Sequence, residues 1–213
     1  MVHHVPRWLA RDIENSVDSR VALIAVDGLA LDQWVTIRQL LQRRDASLAF
    51  LRDKTSMALV VHRGMISAAY PFWFNVARQT GRLLALQGQV TQTQIINRLK
   101  EQYGDRQTIS RYAQYVIRSF VAWGALKDSE AKGCYEKVSP LSISDQKLAI
   151  LMLESALLAT PGAKGALGLI LNNPGFFPFQ LPVMTGEFIS QHNDRIDVIR
   201  FGLDDELLKL KSN

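Results

Sequence analysis

The stretch that decides the fold is residues 90–138, VTQTQIINRLKEQYGDRQTISRYAQYVIRSFVAWGALKDSEAKGCYEKV. Thr91 followed by Gln94 is a capping-box pair, in which each side chain satisfies an otherwise unpaired amide at the start of a helix. An apolar stripe at helical spacing follows the pair, and Gly104 is the residue type that most easily ends a helix. The sequence therefore predicts one helix over residues 92–103.

A second amphipathic helix is predicted between Asp105, which can cap its start, and Gly124, which ends it. Its predicted buried positions are Ile109, Tyr112, Ala113, Val116, Ile117, Phe120 and Val121. Residues 125–127 and 134–138 are predicted as two short strands that form a β-hairpin around a polar loop ending in Gly133. Two helices joined by a short turn that contains glycine, with a hairpin behind them, are typical of a winged helix-turn-helix.

Three parts are predicted along the chain around this unit. Residues 1–50 form a short N-terminal strand-helix segment, residues 51–143 the winged-helix-like domain, and residues 144–213 a helical interaction region. The predicted fold class is mainly α, within the α+β class. An aromatic cluster from Tyr70 onward is expected in the core, with Pro71 at a helix start.

Hydrophobic patterns predict the elements of the C-terminal part. A helix over residues 145–159 is apolar around most of its circumference, which predicts that it is buried or lies in an interface. A shorter helix is predicted over residues 163–171, a turn at 172–175 and a strand over 195–201.

Composition limits the class of protein. Of the 213 residues 47% are hydrophobic and 21% are charged, which is the balance of a chain that can bury a core. Cys134 is the only cysteine, so no intramolecular disulfide and no thiol-based zinc site are expected. Because neither a secretory signal nor an apolar stretch of ~18 residues is visible, we expect a cytoplasmic protein without a membrane span.

The positive charge of the chain is concentrated around the two predicted helices. Seven basic and two acidic residues lie between Arg78 and Arg118, so the whole formal charge of +5 can sit there. Polar side chains on the second helix are of the types that read base edges and phosphates in the major groove of double-stranded DNA. The predicted groove contacts are Gln107, Ser110, Arg111 and Gln114, and the predicted phosphate contacts are Arg118, Lys127 and Lys132. The alternative is a solvated face on a winged helix that binds only a partner protein.

The N-terminal segment carries a motif of its own. Its elements are the apolar run Val21-Ala22-Leu23-Ile24-Ala25-Val26, then Asp27-Gly28, then Asp32-Gln33-Trp34, with Trp8 upstream. With these elements residues 6–50 resemble the start of the PglZ domain, an alkaline-phosphatase-superfamily module of BREX-type phage-defence systems. The resemblance implies that Asp27 is a metal ligand. It stops after residue 50, where the further ligands of a two-metal phosphate site are not found.

No complete enzyme active site is visible, since the chain also lacks a glycine-rich phosphate loop. The sequence and the resemblance together predict a non-enzymatic component of a bacterial phage-defence (BREX-like) locus. It binds DNA or a protein of a defence complex through the winged helix and needs no cofactor. The alternative is a PglZ-type metal-dependent hydrolase with a divalent metal at Asp27, or its truncated remnant. Whether the N-terminal segment is a native module or the product of a gene rearrangement stays open.

Overall fold

A computed structural model of the chain describes residues 58–201 and 205–211, and these form a mixed α+β structure. All of them belong to one compact unit. The predicted N-terminal strand and helix, the PglZ-like motif and Asp27 lie outside the described residues.

Four helices and one short strand open the described chain. They are α1 (Ala58–Ala69), α2 (Pro71–Leu86), β1 (Gln89–Thr91), α3 (Gln92–Tyr103) and α4 (Gln107–Ala122). The prediction for α3 is confirmed at both ends. The Thr91 hydroxyl accepts from the Gln94 amide at 3.1 Å and the Gln94 side chain accepts from the Thr91 amide at 2.8 Å. Gly104 ends the helix at φ +84°, in a region that glycine enters without strain. Pro71 begins α2, also as predicted.

Helix α4 differs from the prediction at two residues. Asp105 does not cap it, because its carboxylate pairs with Lys100 of α3 at 2.7 Å and the position before the helix is Arg106, whose side chain makes no cap bond. Tyr112, predicted to be buried, is 51% exposed. The buried stripe of α4 is narrower than predicted and centres on Ala113 and Ile117, so Tyr112 falls on its flank.

The predicted hairpin is confirmed and carries a third strand. Strands β2 (Leu126–Asp128) and β3 (Cys134–Lys137) pair antiparallel, and β1 adds to the other side of β3, which gives the order β1-β3-β2. Val90 lies opposite Tyr135 in this sheet. Because β1 has only three residues, it is too short to show the alternation that would predict a strand.

Helices α2, α3 and α4 and this sheet enclose the first hydrophobic core. Its buried members include Trp73, Val76, Ile95, Leu99, Ile117, Phe120 and Tyr135. The rings of Trp73 and Phe120 meet edge to face, with centroids 5.0 Å apart. Trp73 is buried in this core, which confirms the expectation for the centre of the aromatic cluster. Each buried side chain of this size contributes roughly 1.5–3 kcal/mol to folding.

The second core is built around a single buried helix. The remaining elements are β4 (Leu141–Ser142), α5 (Gln146–Leu158), β5 (Lys164–Ala166), α6 (Leu167–Leu171), β6 (Phe179–Gln180), α7 (Gly186–His192), β7 (Ile196–Phe201) and β8 (Asp205–Leu210). The prediction for α5 is confirmed, and all its residues from Leu148 to Leu157 are buried. Val60 and Val61 of α1 pack into this same core.

The C-terminal part contains more strand than the sequence predicts. The helix predicted over residues 163–171 is instead β5 followed by the five-residue α6, and the tail forms β8. These strands assemble a three-stranded antiparallel sheet, β5-β8-β7, in which only β7 was predicted. The pairing of β5 with β8 joins residues about forty positions apart, for example Gly165 and Leu208, so no local pattern reports β5.

One charged side chain lies buried where the two cores meet. Arg63 of α1 is 0% exposed, and four aromatic rings surround its guanidinium at 4.9–5.6 Å. Those rings are Trp73, Phe120, Phe177 and Phe179. Its Nη2 donates to the Gly175 carbonyl at 2.9 Å, whereas Nε and Nη1 have no partner among the described residues. Burial lowers the pKa of Arg63 to about 9.

Candidate nucleic-acid interface

The solvent face of α4 gathers the residues predicted to contact DNA grooves. Gln107, Arg111 and Gln114 are exposed, while Ser110 is half-buried at the edge of the face. The orientation of these residues is set by the apolar stripe on the opposite side of the helix, whose side chains are 0% exposed in the first core. The stripe consists of Ala113, Ile117 and Phe120. An amphipathic helix fixed in this way must turn its polar residues outward.

Two exposed tyrosines share this face, and the sequence analysis did not include them in the site. Tyr112 is 51% and Tyr115 64% exposed, and their ring centroids lie 6.4 Å apart in a T-shaped arrangement. The Arg111 guanidinium sits 5.4 Å from the centroid of Tyr112, within the range of a cation–π contact. A signal for Tyr115 was available, since at ~100° per residue it falls opposite the buried stripe.

Arg118, predicted to contact a phosphate, is held by an acid of the hairpin. Its Nη1 donates to both carboxylate oxygens of Asp128 at 2.7 and 3.0 Å. This hydrogen-bonded pair raises the pKa of Arg118 above its ordinary value. Both side chains are more than half exposed, so the pair connects α4 to β2 without being buried.

The hairpin brings the remaining predicted residues to the surface. Lys127 in β2 and Lys132 in the loop before β3 are both exposed. Within residues 58–201 and 205–211 neither ammonium forms an ion pair, and the same holds for the guanidinium groups of Arg106 and Arg111. These four cations therefore have no ion-pair partner in the part of the chain that the structure describes.

Helix α3, by contrast, is locally neutralised. Arg98 pairs with Glu101 of the same helix at 3.4 Å, and Lys100 pairs with Asp105 at 2.7 Å. The positive charge that the sequence places between residues 78 and 118 is thus not spread evenly. Among the described residues the cations without an ion pair at α4 are Arg106, just before the helix, and Arg111, on its solvent face.

A cleft of about 460 Å³ lies beside the first core and away from the solvent face of α4. Its walls come from α2, the end of the hairpin and the aromatic loop between α6 and β6, and its one charged lining residue is Lys137. A lone lysine among apolar groups does not form an acid–base or nucleophilic constellation.

The described residues offer no metal centre, because among them no three His, Cys, Asp or Glu side chains come together. Cys134 is free and half-buried in β3. Asp27, the metal ligand implied by the PglZ resemblance, is outside the described ranges. Within those same ranges no helix is long and apolar enough to cross a membrane.

No protein-family profile, no curated protein and no solved structure matches this chain. Function is therefore inferred from α4 and the hairpin themselves.

Proposed function

We propose that the chain binds double-stranded DNA, as a non-enzymatic component, through a winged helix-turn-helix formed by residues 71–137. Helix α4 is the recognition helix in this proposal and the β2–β3 hairpin is the wing. The observation that carries it is the exposed face of α4, where Arg111 stands between Gln107 and Gln114 without a neutralising carboxylate among the described residues.

The order of the elements supports this choice of fold. A helix, a short strand, two helices joined by a three-residue turn and a hairpin follow one another from α2 to β3. The first strand pairs with the last, which holds the hairpin against the helices. In helix-turn-helix proteins the second helix of the pair enters the major groove, and here α4 leaves one whole face free for such a contact.

The charges beside that face support binding to phosphates. The Lys127 and Lys132 ammonium groups are exposed on the hairpin that follows α4 in the chain. Each cation that neutralises a DNA phosphate releases condensed counterions, which contributes affinity for any duplex sequence. The polar groups of Gln107, Arg111 and Gln114 can instead read base edges, since glutamine matches adenine and arginine matches guanine in the major groove.

The cellular setting of this proposal is a BREX-like phage-defence locus, and it depends on the resemblance of residues 6–50 to the PglZ domain. Binding of a protein of such a locus is the competing use of the same face. A protein partner would be recognised mainly by packing and hydrogen bonding, so its affinity would change little with salt concentration. Affinity for DNA falls steeply with salt because each phosphate contact releases counterions. The salt dependence of binding therefore distinguishes the two kinds of partner.

Arg111→Ala is the direct test. We expect it to weaken binding to a random-sequence duplex and to make the slope of log affinity against log salt shallower by up to about 0.9, because a free positive charge is lost from the surface that faces the DNA. Fluorescence anisotropy with a labelled duplex at several salt concentrations measures both quantities. Arg200→Ala is the control for net charge. It removes one formal charge from strand β7, outside the proposed interface, where the guanidinium pairs with Glu206 at 3.1 Å, and it should leave the slope unchanged.

The proposal is wrong if the wild-type chain binds no duplex at low salt. It is also wrong if Arg111→Ala and Arg200→Ala change the slope equally, because net charge alone would then explain the binding.

Asp128→Asn is expected to strengthen duplex binding. The exposed Arg118–Asp128 pair adds little to folding because water screens it, so the variant should stay folded with its guanidinium released toward a phosphate. One further phosphate contact predicts a higher affinity at low salt and a salt slope steeper by about 0.9. Asp194→Asn, which makes the same charge change at an exposed site beyond α7, is the control and should have no such effect. An unchanged slope in Asp128→Asn would remove Arg118 from the interface.

A further inference from the structure

The exposed tyrosine pair of α4 is not explained by charge or hydrogen bonding. Tyr112 and Tyr115 present two large rings to solvent, Tyr115 opposite the buried stripe of α4 and Tyr112 on the flank of that stripe. Each ring is fixed by a neighbour, Tyr112 by the Arg111 guanidinium and Tyr115 by the edge of Tyr112. Because apolar surface gains free energy when it is buried, we look for an apolar group on the DNA that these rings could cover.

The major groove offers one apolar feature, the 5-methyl group of thymine. Adenine, guanine and cytosine present hydrogen-bonding groups there, so a phenol ring gains burial from contact with thymine and from no other base edge. The ring centroids lie 6.4 Å apart, a span that covers nearly two base steps of about 3.4 Å rise each along the DNA axis. The two rings can therefore meet methyl groups of two different base pairs.

Stacking on single-stranded bases fits the geometry less well. A stacking platform needs open ring faces that lie parallel to successive bases. Here the planes of the two rings are 66° apart, and Arg111 lies over a face of Tyr112. The exposed edges of the two rings can instead contact small groups that project from the wall of the major groove.

We propose that Tyr112 and Tyr115 make duplex binding thymine-dependent by packing on thymine 5-methyl groups in the major groove. This inference rests on the proposed DNA-binding function and adds the chemical feature that the helix recognises. Gln107 and Gln114 of the same helix match adenine, the partner of thymine in a base pair.

The test compares two duplexes that differ only in these methyl groups. An alternating dA·dT duplex and the same duplex with every thymine replaced by deoxyuridine share their charges and hydrogen-bonding edges. Burial of one methyl-sized group contributes about fourfold in affinity, so with two methyl groups we expect the thymine duplex to bind roughly fifteenfold more tightly, with an equal salt slope. The Tyr112→Ala/Tyr115→Ala double variant should bind both duplexes alike, at the level of the deoxyuridine duplex.

A second double variant keeps the test independent of folding. Tyr112→Phe/Tyr115→Phe retains the rings and removes the hydroxyls, and it should preserve the preference for thymine. Equal binding of the two duplexes by the wild-type chain, with the salt slope intact, would overturn the thymine inference and leave DNA binding standing. Tighter binding of the single strand than of the duplex would overturn it as well. If neither duplex binds at low salt, the proposed function itself fails.

Discussion

Replacing Arg63 with alanine is expected to lower the free energy of unfolding by about 3–5 kcal/mol, whereas replacing it with methionine should change it by less than about 1.5 kcal/mol. The alanine variant leaves a cavity among the four rings that surround the guanidinium. Methionine fills that space with a flexible, polarisable chain that packs well on aromatic rings. Urea unfolding of the three proteins measures the difference.

The reason methionine is tolerated lies in the state of the charge. The described residues hold no carboxylate in an ion pair with Arg63, and two of its nitrogens make no hydrogen bond there. A buried charge without a counter-ion carries a desolvation cost that its removal relieves, which offsets the loss of one hydrogen bond and the cation–π contacts. A loss in Arg63→Met as large as that in Arg63→Ala would mean that the guanidinium has an anionic partner, and this account would then fail.

The free energies of unfolding of wild type and Arg63→Met should also depend differently on pH. The folded pKa of Arg63 is about 9, well below the ordinary pKa of an arginine in the unfolded chain. Between these values the unfolded chain binds more protons than the folded one, so stability rises with pH. The cost of the buried charge is thus fully present below pH 9 and is relieved above it. From pH 8 to 10 the stability of wild type relative to Arg63→Met should increase by about 1 kcal/mol. Ionisable groups that both proteins share cancel in this difference.

The sequence predicts the elements whose ends are set by neighbouring residues. The capping box of Thr91 begins α3 and Gly104 ends it, and both signals lie within or next to the helix. The hairpin and α5 were likewise readable, since turn residues and continuous apolar runs act over a few neighbours. A prediction from one chain is accurate where the stabilising contacts lie close together in sequence.

The misassigned elements depend on contacts that the local pattern does not report. Strand β8 is an acidic-to-apolar tail in the sequence, and it becomes the central strand of a sheet because β5, about forty residues earlier, pairs on one side and the neighbouring β7 on the other. The acid at Asp105 has the residue type of a helix cap, yet the nearer Lys100 ammonium takes it. Nothing in the neighbouring sequence of Arg63 distinguishes a buried arginine from an exposed one, because three of the four rings around it are supplied by residues 120–179.

The candidate interface was predicted in its polar part and not in its aromatic part. The helix period correctly turned Arg111 and Gln114 outward. Tyr112 was assigned to the core because apolar residues at three-and-four spacing were counted without weighing how wide the stripe must be. A stripe centred on Ala113, Ile117 and Phe120 already fills the available contact, and the tyrosines on and beyond its flank remain outside.

Gly81→Ala is expected to destabilise the protein by about 3 kcal/mol or more, at the upper end of what overpacking costs. Gly81 lies on α2 where this helix touches the turn at Pro174. A Cβ there would overlap the Pro174 carbonyl oxygen, stand 2.7 Å from its carbonyl carbon and approach the Phe177 ring at 3.3 Å. The first two atoms are backbone, so the clash cannot be relieved by a rotamer change, and α2 must move away from the turn.

Gly168→Ala supplies the matched control for this contact. Gly168 lies in the short helix α6 with no atom within 4 Å of an added Cβ, so alanine there should leave stability unchanged or raise it by about 0.4–1 kcal/mol. Thermal and urea unfolding of both variants measure the contrast. Because the aromatic residues that surround Arg63 come from α2, α4 and the loop after this turn, a shift of α2 should also open that cage. Faster hydrogen exchange of the amides of α2 in Gly81→Ala, and not in Gly168→Ala, would report it. Wild-type stability in Gly81→Ala would mean that the helix and the turn are not in close contact in solution.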